Sequence, residues 1–217
     1  MTTGIIYIHV QALAQLLQKD KTDFADFRGF NHYQKQQIQA RRNQLLAHQL
    51  HCTIDDLVFS KHEHGKPFLS SHALHFNHSH SQQYYALAMS ERVQDIGIDV
   101  EALDRKVRFD GLAQHAFHLE EYQTWQQQDQ DTEYWFRVWT TKEAILKASG
   151  LGIRLDLNSL NTQVHPTNQG GMCSHPLIGT FAYQNFILNQ KIVVTIAWRA
   201  ERSCRGFQFP QIQIVQY

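Results

Sequence analysis

The sequence predicts an α+β fold of two similar halves that meet near residue 95. A β-branched and aromatic run opens the chain, a long helical pattern followed by a late strand occurs once in each half, and a strand pair closes the second half. Residues 4–10 (Gly-Ile-Ile-Tyr-Ile-His-Val) read as a buried strand. Leu13, Leu16 and Leu17 then recur at helical spacing. Residues 34–51 read as a long polar helix with Ile38, Leu45 and Leu46 as its apolar stripe. Short extended pieces around Gly65-Lys66-Pro67 follow over 55–69, then a His-rich stretch over 72–80, then strands over 84–89 and 95–100. In the second half one helix is expected over 112–125. A longer one is expected over 132–149, with Trp135, Val138, Trp139, Ile145 and Leu146 on its apolar side and Gly150 at the position of a C-terminal capping glycine. Residues 181–188 and 191–198 form a strand pair joined at Asn189-Gln190, and the alternating tail from Phe207 to Tyr217 reads as an edge strand.

Composition bounds the function. Of 217 residues, 42% are hydrophobic and 18% charged, enough apolar material for a core and too much for wholesale disorder. Lys plus Arg and Asp plus Glu are each 20, so net charge is zero with His neutral. That balance argues against a general nucleic-acid binder held by phosphate electrostatics, while leaving room for a local basic pocket. No stretch approaches the ~18 apolar residues of a membrane helix, and the first residues lack the basic region of a signal peptide. Cys52, Cys173 and Cys204 are odd in number and without CxxC spacing, so they read as reduced thiols of a cytoplasmic protein. Gln clusters at 34–44 and 123–130 read as solvated helix faces and a loop.

Three constellations carry chemistry. In Gly97-Ile98-Asp99-Val100-Glu101, the two acids stand at i and i+2 of a strand and so point the same way. They are either an exposed acidic strand end or a pair of hard oxygen ligands of the kind Mg²⁺ takes alongside water and phosphate. In the run from Trp139 to Lys147, Trp139, Glu143 and Lys147 share one helix face. They are either an ordinary i,i+4 pair, worth ~0.2–0.5 kcal/mol, or a third carboxylate with a cation for phosphate. In Phe76-Asn77-His78-Ser79-His80-Ser81, hydroxyls and imidazoles on a turn offer donors to an anion, or simply make a polar loop. A rival reading gathers His62, His64, His72, His75, His78 and His80 into a metal site, although no HExxH or CxxC accompanies them.

Taken in this order and spacing, the chain resembles the Sfp-type 4′-phosphopantetheinyl transferase family over roughly residues 28–160. Phe59-Ser60 through Gly65-Lys66-Pro67 is similar to the family's first block. Phe76 to Ser81 fits F-N-x-S-H-S, and Gly97 to Glu101 fits G-I-D-x-E. Leu112-Ala113 through Phe117 to Glu121 looks like its F-x-x-x-E helix. Trp139 to Lys147 fits W-x-x-K-E-x-x-x-K, followed by Gly150 and Gly152.

The resemblance implies a pseudo-twofold α+β fold. Each half is an antiparallel sheet packed against a long helix, with the active site in the cleft between them. Residues 1–95 would contact coenzyme A, and 96–217 would hold Mg²⁺ and catalyse. Such enzymes move the phosphopantetheine arm of coenzyme A onto a serine of an apo acyl, peptidyl or aryl carrier protein and release 3′,5′-ADP. By resemblance Asp99, Glu101 and Glu143 hold Mg²⁺, with Mn²⁺ an alternative oxygen-loving ion. Glu143 is the base and Lys147 meets the leaving phosphate. Lys66, Ser79, His80, Lys142 and Lys147 are expected at the coenzyme A phosphates, His80 at the 3′-phosphate. For the basic cluster of the first long helix, Arg28, Lys35, Arg41 and Arg42 are candidates. Arg42 fits the family's A-G-R-like block best, with Arg41 where its glycine stands. Leu112, Ala116 and Phe117 are either an apolar patch for the carrier or core. A monomer is expected, since one chain carries both halves. The alternatives are a catalytically silent relative that binds coenzyme A or a carrier, and a His-rich metal-binding protein.

Overall fold

In the computed structural model, which describes residues 4–200 and 209–217, the path of the chain is set by which strands share a sheet. The first half runs β1 (Ile5–Ala12), α1 (Leu13–Leu16), α2 (Phe27–Leu50), β2 (Phe59–Lys61), β3 (Pro67–Leu69), β4 (His75–His80) and β5 (Tyr84–Ser90). The second runs β6 (Gly97–Ala102), α3 (Phe109–Ala116), α4 (Leu119–Gln127), α5 (Thr132–Ser149), β7 (Gly170–His175), β8 (Gly179–Leu188), β9 (Ile192–Arg199) and β10 (Gln211–Gln216). One four-stranded sheet has the order β10-β1-β5-β4, the other β6-β9-β8-β7, and β2 and β3 make a small hairpin. The second large sheet is wholly antiparallel. In the first, β10 lies parallel to β1, so the last strand of the chain completes the sheet of the first half. Phe207 and Cys204 lie outside the described residues.

Alternation along the strands produces three cores. Ile6, Ile8, Val10, Ala86 and Ala88 point from the first sheet toward Ile98, Val100, Val194 and Ile196 of the second. The opposite residues of β5 (Tyr85, Leu87 and Met89) pack on Ile38, Leu45 and Leu46 of α2. The far face of the second sheet, with Phe181, Tyr183, Val193 and Ala197, is covered by Trp135, Val138, Ile145 and Leu146 of α5. The layers therefore run helix, sheet, sheet, helix. With Ile98 and Val100 turned to the core between the sheets, the period of two in β6 makes Asp99 and Glu101 face the α5 side.

Helix α2 begins seven residues before the expected start because Asp26 caps it, accepting from the Gly29 N–H at 2.7 Å. The expected helix over 112–125 is broken in two. Phe117 turns extended, and His118 and Glu121 form a capping box that starts α4 anew. Helix α5 occupies the predicted residues, and Gly150 takes a φ of 73° at its end. The predicted turn at Asn189-Gln190 has φ of 52° and 56°, as a tight hairpin requires. The His-rich stretch, expected as a turn, is instead strand β4 over its second part.

Candidate active site

Asp99 and Glu101 are buried acids, 5% and 6% exposed, on the strand at the edge of the second sheet. Each has one oxygen satisfied. Asp99 Oδ1 accepts from Ser79 Oγ at 2.7 Å and from Lys147 Nζ at 2.6 Å, and Glu101 Oε1 is ion-paired with Arg105. The other oxygen of each, Asp99 Oδ2 and Glu101 Oε2, is buried with no protein partner. A desolvated carboxylate oxygen without a donor is costly unless something outside the chain satisfies it. Burial and the neighbouring Asp99 charge together push the Glu101 carboxyl up to about 7.

Helix α5 supplies the facing wall. Trp139, Glu143 and Lys147, each one turn apart, all line the same cleft as the two strand acids. The approach is close because residue 97 is glycine. A Cβ there would stand 2.1 Å from the Ala144 carbonyl and 2.3 Å from the Ala148 amide nitrogen. Burial first, then the Asp99 charge, raises the Glu143 carboxyl above its ordinary range, with Lys147 opposing.

The third wall comes from the first half. The side chain of Asn77, on β4, accepts from the Ile98 N–H at 2.8 Å and so stitches the edge of the first sheet to β6. That contact carries Ser79 to Asp99, and Lys147 Nζ donates to Ser79 Oγ at 2.8 Å. His78 and His80 lie on either side of Ser79 and line the cleft, as do Lys35 and Arg42 from α2. The Arg42 guanidinium lies 4.1 Å above the Phe59 ring and is tied through Nε and Nη2 to Asn43 Oδ1. Burial, with Arg42 the next cause, holds the His78 imidazole down near 4, so it is neutral. The cleft volume is about 1950 Å³.

The structure thus brings Asp99, Glu101, Glu143, Lys147, Ser79, His80 and Arg42 to one cleft. Of the basic candidates on α2, Arg42 and Lys35 face it. Arg41 turns away to Gln11 and the Tyr217 ring, and Arg28 is exposed elsewhere.

Two residues expected at the phosphates do not line the cleft. Lys142 is fully buried. Its ammonium is paired with Glu121 Oε2 at 2.7 Å and donates to the carbonyls of Leu157, at 2.9 Å, and Leu160. All three of its donors are thereby occupied. One residue along a helix is a rotation of about 100°, which takes Lys142 from the cleft face of Glu143 into the core. Lys66 likewise does not line the cleft, although Lys61, Gly65 and Pro67 do. Its ammonium donates to the carbonyls of Ile96 and Ala148, each at 3.0 Å. The apolar trio on α3 and its end is mostly core, with Ala116 5% and Phe117 3% exposed and Leu112 packed on the same cluster.

Three residues at the site are not foreseen by the sequence reading: Asn77 as the stitch between sheets, Arg105 on Glu101, and His78 as a neutral wall. Asn77 carries a signal, an amide between Phe76 and the His-Ser alternation. Arg105 carries none, because the turn that returns it to Glu101 lies beyond the strand.

The donor chemistry of the site fits a divalent cation. The two orphaned oxygens are hard donors, and the deficit is anionic. Among the described residues no three His, Cys, Asp or Glu side chains are drawn together as a metal cage. This holds for the histidines and equally for Asp99, Glu101 and Glu143, which line one cleft without closing on a common point, so an ion there would be held in part by phosphate and water. Cys173 is buried, its thiol pushed up to about 12 chiefly by burial, and is no nucleophile. Among the described residues no helix is long and apolar enough to cross a membrane.

Residues 95–197 match the family model of the 4′-phosphopantetheinyl transferase superfamily. The chain is 36% identical over 110 residues to the 4′-phosphopantetheinyl transferase gsp of Aneurinibacillus migulanus, an alignment covering 48% of this chain and 43% of that one. It is 31% identical over 128 residues to Sfp of Bacillus subtilis, covering 58% and 55%. It is 32% identical over 132 residues to AcpT of Escherichia coli K12, covering 59% and 65%. The chain spans about half the length of the curated relatives it matches. It is related to the Sfp-type 4′-phosphopantetheinyl transferases. The matched region holds Asp99, Glu101, Glu143 and Lys147 but not Ser79, His80 or Arg42.

Proposed function

We propose that this protein transfers the 4′-phosphopantetheine arm of coenzyme A to a serine hydroxyl of an apo carrier protein, releasing 3′,5′-ADP, with Mg²⁺ as its metal. The observation that carries the reading is the pair of orphaned oxygens on Asp99 and Glu101, residues that line one cleft with Glu143, Lys147 and the basic Arg42 and Lys35. The two halves, 1–95 and 96–217, divide the work. The first supplies Arg42, Ser79 and His80 to the coenzyme A phosphates, and the second supplies Asp99, Glu101 and Glu143 to the metal. We infer a monomer acting in the cytoplasm, with the cleft between pseudo-twofold halves as its active site.

Bound at the carboxylates, Mg²⁺ would supply charge neutralisation on the pyrophosphate and its leaving oxygen. The residues do the rest by positioning, which phosphoryl transfer chiefly needs. Glu143, raised above the ordinary carboxylate range, accepts the proton of the acceptor serine hydroxyl, directly or through a water. The serine oxygen bonds to the phosphorus bearing the pantetheine. The bond from that phosphorus to the bridging oxygen breaks, and the electron pair leaves on 3′,5′-ADP. The Lys147 ammonium, poised on Asp99 and Ser79, meets the charge on the departing phosphate. The proton held by Glu143 passes to solvent.

The test is intact-mass spectrometry of apo acyl and peptidyl carrier proteins after incubation with this protein, coenzyme A and Mg²⁺. The expected result is a gain of one phosphopantetheine, lost with EDTA and in Glu143→Gln or Asp99→Ala variants that remain folded. Near-normal transfer in either variant overturns the assignment of roles. Coenzyme A binding without transfer to any carrier would make the protein a silent relative.

A further inference from the structure

Lys66 sits in the turn between β2 and β3, immediately after Gly65 at φ 87°. Its side chain leaves the first half and crosses to the second. There Nζ bonds two carbonyls that belong to different elements: Ile96, just before β6, and Ala148, in the last turn of α5, each at 3.0 Å. The carbonyls of a final helical turn lack intrahelical partners, and a cation at that end is favoured by the helix dipole. Ala148 follows Lys147. Ile96 precedes Gly97, the residue against which the Ala144 and Ala148 backbone is packed. The two bonds therefore span a point where the backbones of α5 and β6 are in close contact, and the cleft groups are counted off from it: Lys147 and Glu143 along the helix, Asp99 and Glu101 along the strand.

We propose that Lys66 is a positioning residue, a latch from the first half that fixes the end of α5 against the start of β6 and thereby holds Lys147 and Glu143 in register with Asp99 and Glu101. The inference rests on the transfer reading for its kinetic part alone. It assigns the lysine of Gly65-Lys66-Pro67 to the protein's own backbone and not to a coenzyme A phosphate. Burial supports this, because it draws the ammonium down to about 8, with Asp95 opposing and Arg199 assisting. That burial accompanies the two backbone bonds at 3.0 Å and the absence of Lys66 from the cleft lining. A displacement of about 1 Å at a reacting centre can cost 10²-fold in rate, so a small loosening of α5 is kinetically visible.

The experiment compares Lys66→Met, which keeps the stem and removes the cation, with Lys66→Arg, which can still donate to both carbonyls. Steady-state transfer is measured at varied coenzyme A, together with hydrogen exchange of the amides over 144–150 and the melting temperature. For Lys66→Met the expected result is a kcat lower by about 10–100-fold with KM for coenzyme A within about twofold. Exchange over 144–150 should be at least about tenfold faster, with partial recovery of both in Lys66→Arg. A raised KM with kcat retained would show a phosphate contact and overturn the latch. So would a lowered melting temperature with kcat per folded molecule unchanged. If the wild-type protein transfers nothing, the function reading fails, and the exchange data alone judge the latch: unchanged exchange in Lys66→Met overturns it.

Discussion

Replacing Gly97 by alanine tests how the site is assembled. The added Cβ would lie 2.1 Å from the Ala144 carbonyl oxygen, 2.3 Å from the Ala148 nitrogen and 2.9 Å from its Cα. All three are backbone atoms of α5, so no side chain can swing aside. Ordinary contact begins near 3.4 Å, and the oxygen must therefore retreat by about 1.3 Å. The backbone of β6 cannot easily give way, since Gly97 is paired with Ala197 in the ladder and the Ile98 N–H is held by Asn77. The helix must tilt or slide. Overpacking a tight core typically costs ~1–3 kcal/mol, and here backbone meets backbone, so the upper part of that range applies. In urea this reads as a lower midpoint at unchanged slope. Transfer should suffer more than stability, because Glu143 and Lys147 ride on the displaced helix, and a shift of about 1 Å carries a rate loss of order 10². The variant is assayed at a temperature where its melting curve shows it folded. A Gly97→Ala protein with wild-type midpoint and wild-type turnover would refute the claim that this contact sets the spacing of the site.

The buried Glu121–Lys142 pair makes a contrasting prediction. Lys142→Met should lower stability by about 3–5 kcal/mol by leaving the Glu121 charge unpaired, and adding Glu121→Leu should restore part of it. Chemical denaturation measures both, and KM for coenzyme A in the folded fraction should not move, since Lys142 is outside the cleft. The third prediction concerns pH and metal. Glu101 stands near 7 against an ordinary 4.5, so the folded protein binds more protons than the unfolded chain between those values. This group's contribution to metal-free stability is present at low pH and is lost as pH rises through about 7. A divalent cation reverses the preference by favouring the carboxylate. The rise in melting temperature produced by Mg²⁺ should therefore be larger at about pH 8 than at about pH 6, and an equal shift at both would count against Glu101 as a ligand.

The fold is legible where one physical signal dominates. Helix α5 lies where its apolar spacing and capping glycine place it, and the β8–β9 hairpin turns at Asn189-Gln190, as two residues with positive φ require. It is not legible where local and tertiary signals compete. Nothing in residues 112–125 announces that Phe117 prefers the core to the helix, so a single amphipathic run is expected where a capping box makes two. Strand β7, with its paired glycines and polar residues, has no strand pattern of its own and forms by pairing with β8. The tail's alternation predicts an edge strand but not its partner, which is β1 at the other end of the chain.

The same division runs through the site. Strand and helix periodicity are enough to put Asp99 with Glu101, and Trp139 with Glu143 and Lys147, on common faces. They cannot tell whether Lys142 turns to the cleft or to the core, because that depends on the angle at which α5 is seated. Gly97 sets how closely the helix is seated, and the Glu121 carboxylate receives the ammonium that the rotation buries. Lys142 and Lys66 invite assignment to phosphate because each stands in a block that resembles the transferase family. In the folded chain each instead satisfies backbone carbonyls, Lys142 at Leu157 and Leu160 beneath the helix and Lys66 at its end. A cation close to an active site is thus not evidence of a substrate contact until its own donors have been accounted for. By that criterion Lys147 differs from Lys142 and Lys66, because its partners, Asp99 and Ser79, themselves line the cleft.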